Sequence, residues 1–291
     1  MLDIGIFAPH GTDHERNIAF CQDTDVRHII LPSRPLAKEN GIPDPNSLKA
    51  VAQTYSNNGV TLASLTPPRI NLETLADDEI RTTELNQILG IIESMGVARI
   101  PYLHLYLNNK DAYPADPDEQ NRYWDLLMDV YRQLTQTGER VGVQISTHHY
   151  HAAGRPLWNY DTMAQLFETV NSPANGVTFC QGKSELAGDP LAETISKFSD
   201  RIFMVHIRDI ATRVADPIPP EVQERLSGMG YLEVAFGTGE CDMAGTIRAL
   251  KQIGYNGQLY PEHFPSIAGD RAAGLAWCIG YIRALDATID P

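Results

Sequence analysis

The segment "GVTFCQGKSELAGDPLAETISKFSDRIFMVHIRD" (residues 176–209) decides the fold class. It begins with one short apolar run, "GVTFCQG" (176–182), and ends with another, "IFMVHIRD" (202–209). Both have the length and the β-branched and aromatic content of strands. Between them, Asp189 before Pro190 marks a helix start, with Asp as N-cap and proline in the first turn. A strand, a helix and a strand follow one another without a long linker.

The same alternation runs outward in both directions. Further strand-like runs are "LDIGIFAP" (2–9), "HIILP" (28–32), "VTLASLTPP" (60–68), "RIPYLHLYL" (99–107), "GVQISTHH" (142–149) and "GQLYPEH" (257–263). Helical periodicity fills 75–95, 119–138, 161–171 and 242–253. Asp242 opens one helix, and Gly96 and Gly254 stand where helices are expected to stop. Eight strands alternating with helices over about 250 residues predict a (β/α)₈ TIM barrel as a single domain over 1–291. A doubly wound open sheet is the alternative on pattern alone. The irregular stretch 211–241, with "DPIPPE" and "GTGE", is expected to be a long loop over the active face.

Composition narrows the function classes. The hydrophobic share of 43% with 21% charged residues belongs to an ordinary globular protein. Lys and Arg number 23 against 37 Asp and Glu, a formal charge of −14. Such a surface repels phosphate backbones, so no nucleic-acid partner is expected, and a nuclease is disfavoured. The four cysteines, Cys21, Cys180, Cys241 and Cys278, form no CxxC pair and suit a reducing compartment. "MLDIGIFAPHG" at the N-terminus has neither a basic leader nor a long apolar run. No stretch has the apolar length of a membrane span. The expectation is a cytoplasmic protein with no membrane contact.

Barrel strands alternate between the axis and the surrounding helices. Val143, Ile145 and Thr147 oppose Gln144, Ser146 and His148. Val177 and Phe179 oppose Thr178 and Cys180. Phe203, Val205 and Ile207 oppose Met204, His206 and Arg208, and Leu259 and Pro261 oppose Tyr260 and Glu262. The more apolar sets belong against the helices. His148, Cys180, His206 and Glu262 therefore point inward at the C-terminal strand ends, where this fold carries its sites. Singly, each is an ordinary core residue. Together, two imidazoles, a thiolate and a carboxylate make a four-ligand site for a divalent metal. In "QISTHHYHAAGR" (144–155), His149 has the opposite parity, and His151 lies in the following loop.

"VNSPANGVTFCQGKSELAGDPLAETISKFSDRIFMVHIRD" (170–209) resembles the mannonate dehydratases, which carry a "SPANGLTFCTGS"-like segment and a "DRIHFVHLRN"-like strand. "GECDMAGTIRALKQIGYNGQLYPEH" (239–263) is similar to their G-x-x-D-M helix and R-P-D-H strand. "GDRAAGLAWCIGYIRAL" (269–285) is similar to their last helix. The match spans roughly 140–285. The N-terminal half resembles only the wider xylose-isomerase-like barrels.

The resemblance implies a metal-dependent dehydration of D-mannonate to 2-keto-3-deoxygluconate, usually with manganese. It implies His148, Cys180, His206 and Glu262 as ligands, the last in place of the family's Asp. It also implies His263 as acid or base, and Arg208 as the arginine of the HxRN motif. The departures are specific. "HHYHAA" replaces "HPDDPP", Asp209 replaces the Asn of HxRN, a tyrosine before the last helix is missing, and no "DWTRT"-like loop is present.

These readings combine into an expected lyase. A divalent ion, Mn²⁺ first with Zn²⁺ or Fe²⁺ as alternatives, would help Arg208 stabilise an enediolate. His263 or His151 would move the first proton, and Tyr150 or Tyr260 would supply a second. The substrate class is a small sugar acid. The alternative is a sugar isomerase or epimerase, which needs the same enediolate chemistry without loss of a hydroxyl. Small residues in the last helix could pack within the barrel or between subunits of a homo-oligomer.

Overall fold

A computed structural model describes residues 2–108, 113–213, 226 and 228–290. In chain order the first half comprises β1 (Asp3–Phe7), α1 (His14–Asp23), β2 (His28–Pro32), α2 (Pro45–Asn57), β3 (Thr61–Thr66), α3 (Asp78–Ala98), β4 (Tyr102–Tyr106) and α4 (Pro117–Val141). The second half continues with β5 (Gln144–His148), α5 (Tyr160–Thr169), β6 (Asn175–Cys180), α6 (Gln181–Ala187), α7 (Leu191–Lys197) and β7 (Ile202–Ile207). A short pair, β8 (Ile210–Ala211) and β9 (Leu232–Glu233), precedes α8 (Met243–Gln252), β10 (Gln258–Pro261) and α9 (Arg271–Thr288).

Eight parallel strands close in the order β1-β10-β7-β6-β5-β4-β3-β2. Closure removes both sheet edges and rules out the open sheet. The outer faces of the strands bury against the helices: Thr147, for example, donates to the Tyr131 hydroxyl of α4 at 3.0 Å.

Much of the acidic excess has a local task. Asp13, Asp44, Asp77, Asp116, Asp242 and Asp270 each cap a helix, with a carboxylate oxygen accepting from backbone N–H in the first turn. Each satisfies otherwise orphaned donors and opposes the helix dipole with a negative charge.

Three expectations are corrected. Asp189 does not cap the helix after it: α7 begins behind Pro190, and the Asp189 carboxylate accepts from Tyr160 N–H and Ser184 instead. Gly96 does not end α3. That helix runs on to Ala98 and ends with Arg99 in the left-handed region, while Gly96 is needed for the close approach of Val141. Phe203 does not face the helices. An irregularity pairs Val177 with Ile202 but Thr178 with Met204, which gives β7 one extra residue. Phe203 therefore turns inward, over Gly176 and against Tyr102. A bulge breaks period-two alternation for the residue it adds.

Of the expected loop at 211–241, residues 214–225 and 227 lie outside the described residues. Its two ends pair as β8 and β9 in antiparallel fashion.

Candidate metal centre

Each inward histidine, cysteine or glutamate of the second half reaches the site because of where its strand ends. His148 and Cys180 are the last residues of β5 and β6, His206 is the next to last of β7, and Glu262 follows β10. One ligand atom from each lies within 4.8 Å of the others, and all four residues are buried. Donor atoms about 2.0–2.3 Å from a shared ion stand roughly 3–4.5 Å apart, so small side-chain movements complete the set.

The hydrogen bonding points the same way. Both ring nitrogens of His148 and of His206 are buried without a hydrogen-bond partner. His206 Nδ1 and His148 Nε2 approach Glu262 Oε2 at 3.2 and 3.7 Å, and Cys180 Sγ lies 3.8 Å from the same oxygen. His206 Nε2 and His148 Nδ1, which lack even that contact, cost about 1–3 kcal/mol each unless something else satisfies them. A divalent cation among two neutral imidazoles, a thiolate and a carboxylate does so and balances the two negative charges. The residues present fit such an ion.

Burial disfavours the charged form of each group, and the neighbours decide what survives. It drives His148 well below the usual histidine range. It pushes the Cys180 thiol up to about 11, against the pull of the Arg208 charge. Burial would also raise Glu262, but Arg208 and His206 outweigh it and hold the carboxyl well below the usual carboxylate range.

Around the ligands runs a ring of charge. Arg208, 1% exposed, reaches Glu262 Oε2 with one nitrogen and Glu233 Oε1 with another at 3.1 Å. Its stem lies against Gly182, where any Cβ would collide with it. His263 bridges the same carboxylates, Nδ1 at 3.1 Å from Glu233 and Nε2 at 3.3 Å from Glu262. Burial works against a charge on His263, yet these partners raise it to about 9. Its backbone sits at φ +54°, a left-handed conformation that a non-glycine residue adopts at a cost. Tyr106 donates to Glu262 Oε1 at 3.2 Å. A cavity of about 300 Å³ opens here, lined by Phe7, Tyr106, Glu262, His263, Phe264 and Arg271 among others.

The remaining candidates sit as follows. His149 turns away from the ligand cluster but stays buried, its Nε2 accepting from the Cys180 backbone N–H at 3.1 Å. His151 is half-buried, edge-on to Tyr231, with Nδ1 buried and unpartnered. Burial first, then the charges of Lys183 and Arg208, lowers it to about 4. Tyr150 belongs to the apolar core, 4% exposed, and does not line the cavity. Tyr260 is fully buried with its ring edge-on to His206, centroids 6.2 Å apart, but its hydroxyl turns toward the N-terminal end of the barrel, 3.4 Å from Gln258 Oε1.

Four residues of the site have no counterpart in the sequence reading. Tyr106 was within reach of it, since "YLHLY" (102–106) alternates like the later strands and places His104 and Tyr106 inward. Lys183, Tyr231 and Glu233 had no such signal, because α6 and the β8–β9 connection bring them in. Asp209 proves to be a loop anchor: its buried carboxylate accepts from the backbone N–H groups of Gly237, Gly239 and Cys241 at 2.9–3.2 Å.

Comparison with known proteins agrees with the fold. Residues 18–284 match the family model for the xylose isomerase-like TIM barrel. Mannonate dehydratase 1 of Halalkalibacterium halodurans is 26% identical over 151 residues, 48% of this chain and 38% of that protein. The chain thus matches well under two thirds of that relative's length. Among solved structures, mannonate dehydratase from Streptococcus suis superposes with a TM-score of 0.73 at 16% identity, covering 98% of this chain and 92% of the other. The 3-keto-D-glucoside 4-epimerase of E. coli gives 0.75 at 14% identity, covering 98% and 100%. At those identities the two structures establish the fold alone. The closed barrel and the match over nearly the whole chain place this protein in the xylose isomerase-like TIM barrel family.

Proposed function

We propose that this protein is a metal-dependent dehydratase of a sugar acid, with D-mannonate as the first candidate substrate and Mn²⁺ as the first candidate metal. The observation that carries the reading is the cluster of His148, Cys180, His206 and Glu262, backed by Arg208 and His263. Two imidazoles and a thiolate leave only one carboxylate in the set. A less anionic site of that kind accepts an anionic substrate at lower electrostatic cost.

A divalent ion held there supplies Lewis acidity toward the carboxylate and the neighbouring hydroxyl of a sugar acid. The chain's own groups do the rest. His151, neutral and with an unpartnered nitrogen, takes the proton from the carbon next to the carboxylate. The carbanion delocalises into an enediolate, whose added charge faces the Arg208 guanidinium. His263, held between two carboxylates, carries protons on both ring nitrogens and gives one to the departing hydroxyl of the next carbon. Water leaves, and the remaining enol tautomerises to a 2-keto-3-deoxy acid. The cavity beside Glu262 and His263 offers room for the polyol chain.

The test is mass spectrometry of D-mannonate after incubation with Mn²⁺-loaded protein in D₂O, with Cys180→Ser as control. The expected product is lighter by one water and absent from the control. A sugar of unchanged formula carrying solvent deuterium would instead make the protein an isomerase or epimerase.

A further inference from the structure

Lys183 lies in α6, three residues past Cys180, and is only 7% exposed. Among the described residues no carboxylate comes within ion-pair distance of it. Its one hydrogen-bond partner is the Tyr231 hydroxyl at 2.8 Å, and its ammonium stands 5.0 Å over the Tyr231 ring. A buried ammonium has three donors and needs a compensating anion. The phenol accepts one donor and supplies no full charge.

The neighbours repeat the pattern. Arg208 spends two nitrogens on Glu233 and Glu262, but its Nε is buried without a partner. His151, whose ring packs edge-on against the same tyrosine, has Nδ1 buried and unpartnered. Lys183 and Arg208 thus both keep cationic donors unspent at the site, in a chain whose formal charge is −14. Evolutionary drift of surface charge does not explain a buried cation. A pocket with unspent cationic donors of this kind suits an anionic group.

We propose that Lys183 is the residue that receives the carboxylate of the substrate, with Tyr231 holding its ammonium in place. This rests on the reading of the site as one for a sugar acid and deepens it, because it assigns selection of an acid over a neutral sugar to one side chain. Tyr231 immediately precedes β9 and holds the Lys183 ammonium through one hydrogen bond. Lys183 acts as a binding residue; the proton transfers belong to other groups.

Isothermal titration of the Mn²⁺-loaded protein with three hexonates (D-mannonate, D-gluconate, D-galactonate) and with neutral D-mannose tests it. Lys183→Met should weaken hexonate binding about tenfold or more, the usual scale for losing a charge-assisted hydrogen bond. Lys183→Arg should recover part of the loss. Tyr231→Phe, which keeps the ring, should weaken it less than Lys183→Met, and no variant should alter any binding of D-mannose. Melting curves with and without metal check that each variant is folded, and Tyr231→Phe serves if Lys183→Met is not. Wild-type binding of a hexonate that Lys183→Met leaves unchanged would overturn the Lys183 assignment while the sugar-acid reading stands. Binding of D-mannose with no hexonate bound, or of neither, would overturn both.

Discussion

The two ends of the barrel interior are built on opposite terms. At the N-terminal end, Ile30, Phe203, Met204 and Tyr260 form a buried cluster with Tyr102 and Phe7 against it. The apolar atoms there have apolar neighbours. At the C-terminal end, His148, Cys180, His206, Arg208 and Glu262 are equally buried, yet ring nitrogens of both histidines and one nitrogen of Arg208 lack partners. The two meet at Phe7 and Tyr260: the Phe7 ring lies 5.6 Å from His104, 5.4 Å from His206 and 6.2 Å from Tyr260, and Tyr260 lies 6.2 Å from His206. One end stabilises the fold and the other draws on that stability. Orphaned polar atoms persist only where the surrounding barrel is rigid enough to hold them.

The largest expected effect is at the apolar end. Tyr260→Ala should cost about 3–5 kcal/mol of stability, because a ring that packs over Gly5 leaves a cavity the closed barrel cannot collapse. Urea unfolding measures it, and the metal affinity of the folded molecules should not change. A loss of metal binding matched to the loss of stability would mean the two ends are not separable. At the polar end, His206→Ala should behave differently. In EDTA it should differ from wild type by no more than about 1 kcal/mol, since lost packing is offset by removal of two unpartnered nitrogens. With Mn²⁺ at about a thousand times its dissociation constant, wild type should gain about 4 kcal/mol and the variant none. Equal stabilisation of both would remove His206 from the ligand set.

The same contrast explains what was legible in the sequence. Strand alternation has period two, so the inward set His148, Cys180, His206 and Glu262 follows from counting, and the fold brings those atoms together. Counting fails where the backbone adds a residue, as at Phe203, because nothing in "RIFMV" announces the bulge. It also fails for residues brought in by tertiary packing. Lys183 carries no local signal, and only the fold sets Tyr231 against it, from a loop nearly fifty positions away. Asp189 and Gly96 show the limit of local signals. Each has the residue type that ends or begins helices, and each is used instead for a long-range contact, Asp189 with Tyr160 and Gly96 with Val141.

Acid should report on the buried histidines without any substitution. His149 is buried behind the ligands and its burial lowers it to about 4 from 6.5. Above pH 6.5 the folded and unfolded chains both carry it neutral, so its full contribution is present. Between 6.5 and 4 the unfolded chain takes a proton that the folded chain refuses, and stability falls by about 1.4 kcal/mol per pH unit, some 3 kcal/mol in all. His104 and His148, also driven down by burial, add to the loss in the same direction. Glu262, held low by Arg208 and His206 against its burial, contributes only below its unfolded value near 4.5. At the N-terminal end His28, the first residue of β2, is lowered by burial against the pull of Asp3 and adds in the same direction. Unfolding free energies in EDTA at intervals from pH 7.5 to 4 give the proton uptake as a slope. His149→Gln, which keeps an acceptor for the Cys180 N–H but cannot titrate, should reduce that uptake by about one proton. An unchanged slope would mean that His149 is protonated inside the folded barrel. Its Nε2 could then not accept from Cys180, and the backbone that aims the thiol would be held by something else.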